Sequence, residues 1–260
     1  MALAAFNVFD FDGIRAVADA AGEVELPVYV QFSASTVNYY GADKIAQLLA
    51  VAVGDNRKFI KVHLDHCTNL NLIKNCIDNG WDSVMGDFSH LSISDNIENM
   101  LKIKGLVGER FIEIEGELGQ VAGVEDGHGE GGGSYVDLTE VKRFVDATNI
   151  DLLAVGIGNA HGFYSSSDCI DINLLKEVYQ QVPSQKFVLH GGTGIEPAKI
   201  IEMKSYGIHK INVSTELKDV YLTASKYHIE SNKKFDMISL VTNRYESVKQ
   251  MAKQKILEFQ

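Results

Sequence analysis

Along the chain, short runs of apolar, β-branched and aromatic residues alternate with longer segments whose apolar positions recur at helical spacing. The short runs are AAFNV (4–8), PVYVQF (27–32), FIKVHLD (59–65), DSVMGD (82–87), FIEIEGEL (111–118), LLAVGIGN (152–159), KFVLHG (186–191) and HKINVS (209–214). Between them lie amphipathic stretches such as GADKIAQLLAVA, NLIKNCIDNG, SDNIENMLKIKG, LTEVKRFVDAT, INLLKEVYQQ and PAKIIEMKSYG. Asn79-Gly80, Gly105 and Gly207 read as helix stops, and Pro197 sits where a first helical turn accepts it. Eight strands alternating with eight helices predict an α/β fold with a parallel sheet closed into a (β/α)8 (TIM) barrel. One domain is expected over 1–260, with a C-terminal helical extension from about residue 216 to 260. The pattern alone also allows an open doubly wound sheet.

The chemistry favours the closed form. His66, His161 and His190 each stand at the end of a separate apolar run, and a barrel gathers its catalytic groups from the C-terminal ends of several strands. Three imidazoles with an open fourth position are the ligand set of a catalytic zinc ion. The loops after the last two strands add HGGTG (190–194) and NVST (212–215), each opening onto a helix. Gly191, Gly192, Thr193, Ser214 and Thr215 there offer the backbone N–H groups and hydroxyls that hold phosphate, at the place where barrels commonly hold it. Read singly, GGTG is also a tight turn and Thr215 also a helix cap.

Composition narrows the classes. With 260 residues, 45% hydrophobic, the chain can bury one substantial core, and only three prolines argue against a second domain. A net charge of −11 disfavours nucleic acid and anionic membrane as partners. No apolar stretch is long enough to span a bilayer, and the start lacks the basic region of a signal peptide. The three cysteines, Cys67, Cys76 and Cys169, show no paired metal spacing and suit a reduced cytoplasmic setting, with Cys67 read as packing. Gly119–Ser134, with seven glycines, is the longest loop; it is either a surface insertion or a lid over the barrel mouth.

The strings VHLDHCTNL, SVMGDFSHL, IEGELGQVAGVEDG, LAVGIGNAHGFY, FVLHGGTGI and KINVSTELK stand in an order and spacing that resembles the class II, zinc-dependent ketose-bisphosphate aldolases, most like their tagatose-bisphosphate branch. The resemblance runs over almost the whole chain. It implies a lyase that splits a ketose 1,6-bisphosphate into dihydroxyacetone phosphate and glyceraldehyde 3-phosphate. It also implies one catalytic Zn2+ per subunit on His66, His161 and His190, with a monovalent cation as a further candidate, and a homodimer or homotetramer as the working form. Asp65 matches the family's proton-transferring aspartate, its alternative being a residue that orients a metal histidine. Glu125 matches the acid that exchanges the C3 proton, its alternative being a solvated loop carboxylate.

Asp87 and Glu117 match carboxylates that hold the ion, or a second one, in an alternate position; hydrogen bonding in the barrel mouth is the other reading. Gly162, Asn212 and Val213 join the phosphate-loop residues in the implied substrate site. His63 reads as a core histidine, His90 as a residue near the mouth, and His128 and His209 as surface residues.

Three features depart from the family pattern. The chain starts almost at its first strand, where the resemblance leads one to expect about 20 residues before it. The barrel floor is therefore expected to be open, or capped by the tail or a partner. Ser165 stands where fructose-bisphosphate enzymes carry lysine, and Ser214 where relatives carry alanine or aspartate. The tagatose branch has a small residue at the first of these positions, which steers substrate choice, while Ser214 leaves the sugar open, so the same donor site with a different aldehyde remains an alternative. A metal-dependent barrel hydrolase and a non-catalytic assembly subunit are the rivals from other classes.

Overall fold

The computed structural model describes residues 1–123, 132–163, 169–231 and 236–260. Its eight strands are β1 (Leu3–Asn7), β2 (Val28–Ser33), β3 (Ile60–Cys67), β4 (Ser83–Gly86), β5 (Glu113–Leu118), β6 (Leu152–Val155), β7 (Lys186–Leu189) and β8 (Ile208–Val213). Each pairs in parallel with its sequence neighbours, and β8 returns to β1, so the sheet is the closed barrel the pattern predicts. The open sheet is excluded.

The helices of the main frame are α1 (Phe11–Val24), α2 (Ala34–Tyr40), α3 (Ala42–Val53), α4 (Leu70–Asp78), α5 (Ile93–Val107), α6 (Leu138–Thr148), α7 (Ile172–Gln181) and α8 (Pro197–Ser205). Their starts are chemically marked. Asp10, Ser33, Asn69, Ser92, Asp137 and Asp171 each accept a backbone N–H of the first turn through the side chain. One predicted stop is wrong: α5 runs through Gly105 and ends at Gly108, whose φ of 60 supplies the left-handed turn. Gly105 is simply a glycine on an exposed helix face.

Two further helices, α9 (Thr215–Ser231) and α10 (Met237–Glu258), make up the tail. α10 lies along α1: the Tyr245 hydroxyl donates to Asp19 at 2.6 Å, and Lys249 and Lys253 each reach Glu23 at 2.9 Å. The first residues are met by this tail, since the Ala2 N–H donates to the Phe259 carbonyl at 3.1 Å and the Phe259 side chain is fully buried.

Side chains alternate along each strand between the helix layer and the barrel interior. The interior holds a small apolar cluster of Leu3, Ala5, Tyr29, Met85, Leu152, Ala154 and Val188. The remaining interior space is polar. Toward the floor, Tyr29 and Lys61 both bond Glu113, at 2.7 Å each. Midway, Lys210, Glu115 and His63 are all fully buried. At the mouth stand Asn7, Gln31, Asp65, Glu117 and Asn212, all at most 2% exposed. Buried polar groups persist only when bonded to one another or to a ligand, so this column directs attention upward to the mouth.

Candidate metal centre

Asp65 and His66 are neighbours on β3 and would ordinarily face opposite sides of the strand. The backbone gives way at that point. Pairing between β3 and β4 shifts register between Leu64 and Cys67, and His66 takes a φ of 38. Both side chains thereby turn into the mouth. His190 follows directly on β7. His161 departs from the sequence expectation, because β6 ends at Val155 and leaves the histidine on the loop beyond. Gly158, with φ 88, makes the exit turn; a Cβ there would stand 2.1 Å from the Cys169 carbonyl oxygen. The His161 N–H then donates to the Ala122 carbonyl at 2.8 Å, and Ala160 bridges Ala122 in parallel. The loop after β5 thus fixes the third ligand.

One nitrogen from each of His66, His161 and His190 lies within 4.8 Å of the other two. The closest pair, His66 Nε2 and His190 Nδ1, is 2.7 Å apart. The opposite ring nitrogens of these two histidines are bonded to carboxylates: His66 Nδ1 to Asp87 and His190 Nε2 to Glu115, both at 2.8 Å. Such carboxylate–imidazole pairs orient metal ligands and settle which nitrogen is free to bind. The donor set fits a divalent cation of the zinc type, with three nitrogens converging and no fourth protein ligand required.

Asp87 also accepts the Ser89 hydroxyl and backbone N–H. Burial opposes its charge, yet its bond to His66 holds the carboxyl well below the usual range, and the same bond raises His66 against the burial that would lower it. A second grouping of His66, Asp87 and Glu117 also converges within 4.8 Å. Glu117 Oε2 is buried without a hydrogen-bond partner among the described residues.

Among the described residues Asp65 bonds no imidazole nitrogen. Its carboxylate accepts the side-chain amides of Asn7 at 2.8 Å, Gln31 at 3.3 Å and Asn212 at 3.3 Å. Gln31 also donates to Asn7 Oδ1 at 2.6 Å, which locks the group. Asn7 and Gln31 escaped the sequence reading, as did Glu115 and Lys210. The available signal was a polar residue inside an otherwise apolar strand, in AAFNV and PVYVQF.

The two candidate phosphate loops lie side by side. The Gly192 N–H donates to the Asn212 carbonyl at 2.9 Å, and a Cβ on Gly192 would meet Ile211 Cγ2 at 2.4 Å. Only glycine lets these loops approach so closely. Gly191 (φ 68) and Gly162 (φ 102) take left-handed backbone, and the Thr193 hydroxyl accepts the Glu216 N–H at 3.4 Å. Ser214 Oγ is buried with no hydrogen-bond partner among the described residues, Val213 is buried, and Thr215 opens α9.

His63 is a core residue bonded to Ser83 at 2.8 Å, and His90 is exposed. His209 is half-buried within β8, not on the surface. Cys67 is buried, which pushes its thiol up to about 11, a poor ligand at neutral pH. Glu125, His128 and Ser165 lie outside the described residues. The neck of the glycine-rich loop is pinned by paired bonds between Gln120 and Ser134, 2.9 Å each.

A pH dependence follows for protein stripped of divalent cations. Burial, then the charge of Asp87, pushes the Glu117 carboxyl up to about 8. His66 is also raised above its ordinary 6.5. Both groups hold a proton in the folded state that the unfolded chain releases, so the stability they give is lost as pH rises through their folded values. His63 and His190 are lowered, and their opposing effect ends near 6.5. Between about pH 6.5 and 8 the stripped protein is expected to lose about 2 kcal/mol from Glu117 alone. Saturating zinc should flatten that slope in thermal melts.

Comparison with known proteins gives the family and the fold. The family described as fructose-bisphosphate aldolase class II matches residues 1–260. The YdjI aldolase of Escherichia coli K12 is similar at 29% identity and a TM-score of 0.84, over 99% of this chain and 91% of that one. A candidate fructose-1,6-bisphosphate aldolase of Coccidioides immitis superposes with a TM-score of 0.89 at 25% identity, over 99% and 91%. The Campylobacter jejuni fructose-bisphosphate aldolase, at 22% identity and a TM-score of 0.83 over 99% and 90%, shares the fold.

Proposed function

The chain belongs to the class II fructose-bisphosphate aldolase family and is an aldolase, a carbon–carbon lyase, and from that premise we propose that it reversibly cleaves a ketose 1,6-bisphosphate into dihydroxyacetone phosphate and glyceraldehyde 3-phosphate with one zinc ion on His66, His161 and His190. Membership sets aside the hydrolase and assembly-subunit readings. Tagatose 1,6-bisphosphate is the first substrate and fructose 1,6-bisphosphate the second. The observation that carries the proposal is the convergence of three imidazole nitrogens within 4.8 Å beside an aspartate held by three amides.

Zinc, when bound, supplies Lewis-acid stabilisation of the charge that builds on the C2 oxygen as the C3–C4 bond breaks. The protein does the rest. Asp65 takes the proton of the C4 hydroxyl in cleavage and returns it in condensation. Its three amide donors leave it a fixed direction of approach and keep it off the ligands. Asn212 lies between Asp65 and His190, 3.3 Å from the carboxylate and 3.4 Å from the ring, and can serve the substrate's oxygens through its unpartnered Oδ1. The phosphate is held by Gly191, Gly192, Thr193, Ser214 and Thr215, aided by Gly162 and Val213. Glu125 delivers the proton that replaces the C4 fragment at C3. Asp87 orients His66, and Glu117, whose Oε1 accepts the Val121 N–H, offers Oε2 to an alternate ion position.

A specific observation favours a second aldehyde. Ser33 pairs in register with Asp65, and its hydroxyl lies 3.0 Å from those of Ser35 and Thr36. Such a cluster suits a polyhydroxylated end. A panel of tagatose and fructose 1,6-bisphosphates against ketose 1-phosphates, read by dihydroxyacetone phosphate release, decides between these. Release from none of them overturns the proposal.

The enzyme is proposed to act in the cytoplasm as a homo-oligomer; Leu222, Ile229, Met237 and Ile238, all exposed on α9 and α10, support association. Asn7→Ala should lower kcat about 10–100-fold with zinc content unchanged. An unchanged kcat would show that Asp65 needs no such support.

A further inference from the structure

We propose that Lys210 is a positioning residue for the metal centre, acting through Glu115 to fix His190 in the tautomer that leaves Nδ1 free for the ion. The inference rests on the reading that His66, His161 and His190 hold that ion. Lys210, Glu115 and His190 are each fully buried. Lys210 Nζ lies 2.9 Å from Glu115 Oε2, and Glu115 Oε1 lies 2.8 Å from His190 Nε2.

The logic is one of donors and acceptors. A lysine ammonium can only donate, so it claims one carboxylate oxygen as an acceptor and aims the other at His190. A carboxylate can only accept, so His190 must carry its proton on Nε2. Its Nδ1 lone pair is then directed at the point it shares with His66 Nε2, 2.7 Å away. On the far side, Asp87 imposes the mirror constraint by accepting from His66 Nδ1. With the outer nitrogen of each ring claimed by a carboxylate, the two facing nitrogens are the ones left to ligate a cation. His63 cannot replace Lys210, because its Nε2 is 3.6 Å from Glu115 and its Nδ1 is engaged with Ser83.

A lysine that merely neutralises Glu115 in the barrel core would give the same fold, so the test must read the tautomer. In Glu115→Gln, the ammonium draws the amide oxygen toward Lys210 and leaves the amide NH2 facing His190. That donor demands a lone pair on Nε2 and moves the ring proton to Nδ1, the metal-binding nitrogen. Zinc affinity, measured on cation-free protein by competition with a fluorescent chelator, should fall by about tenfold or more. In Glu115→Gln/Lys210→Met the amide is free to turn its oxygen back to Nε2, and most of that loss should be recovered.

A purely neutralising role gives no loss in the single variant and no recovery in the double. Either result overturns the inference. Parent protein in the same titration reports separately on the underlying reading: if the parent binds no zinc, that reading fails instead. Should a variant not fold, imidazole 15N–1H spectra of the cation-free parent decide the matter. His190 is expected protonated at Nε2, and protonation at Nδ1 overturns the proposal.

Discussion

Replacement of His161 by alanine is expected to abolish zinc binding and turnover together. Among the described residues the side chain supplies one of three converging imidazole nitrogens, and two imidazoles cannot hold an open-sited zinc ion at catalytic affinity. The expected fall in kcat/KM is about 10^4-fold or more, because the stabilisation of charge on the substrate carbonyl goes with the ion. The fold should survive. His161 lies on a loop beyond β6, is only half-buried, and is anchored by its backbone N–H on Ala122. Metal content by mass spectrometry and dihydroxyacetone phosphate release are the readouts. A variant that keeps full activity would refute the assignment of His161 as a ligand.

Asp65→Ala is expected to separate the two halves of the reaction. Zinc should stay, because Asp65 bonds side-chain amides and, among the described residues, no imidazole nitrogen. Exchange of the donor C3 proton should persist, while C–C cleavage falls about 10^3-fold. The alanine also leaves the amides of Asn7, Gln31 and Asn212 short of an acceptor, which costs about 1–3 kcal/mol for each buried donor left unpaired. A lower melting temperature is therefore part of the expectation, and Asp65→Asn should soften it. Loss of zinc from a folded Asp65→Ala protein would make the aspartate a support for the metal rather than a proton carrier.

The barrel was legible because short apolar or alternating runs recur between amphipathic helical segments along the whole chain. The three histidines were legible because each closes such a run or lies just beyond it. What escaped depends on facts that a linear pattern does not carry. LLAVGIGN reads as one strand, but Gly156 and Gly158 end it at Val155 and turn the chain out, so His161 is placed by β5's loop rather than by its own strand. Phe111 heads an apolar run yet is fully exposed before β5 begins.

Asn7, Gln31, Glu115 and Lys210 come from four strands scattered across the sequence. Their convergence is set by barrel register, in which Asn7 stands opposite Gln31 and Lys210 opposite Leu3 and Val188. Alternation says that such residues point inward or outward; only closure of the sheet says which of them meet. Glu125, by contrast, rests on resemblance alone.

The central claim is that carbon–carbon cleavage depends on a divalent ion gathered by His66, His161 and His190. The most direct measurement follows dihydroxyacetone phosphate release from tagatose and fructose 1,6-bisphosphates by the purified protein, before and after chelator treatment and again after stoichiometric zinc. The expected result is release that disappears with the chelator and returns with zinc in the parent but not in His161→Ala. Release that persists through exhaustive chelation would contradict the account.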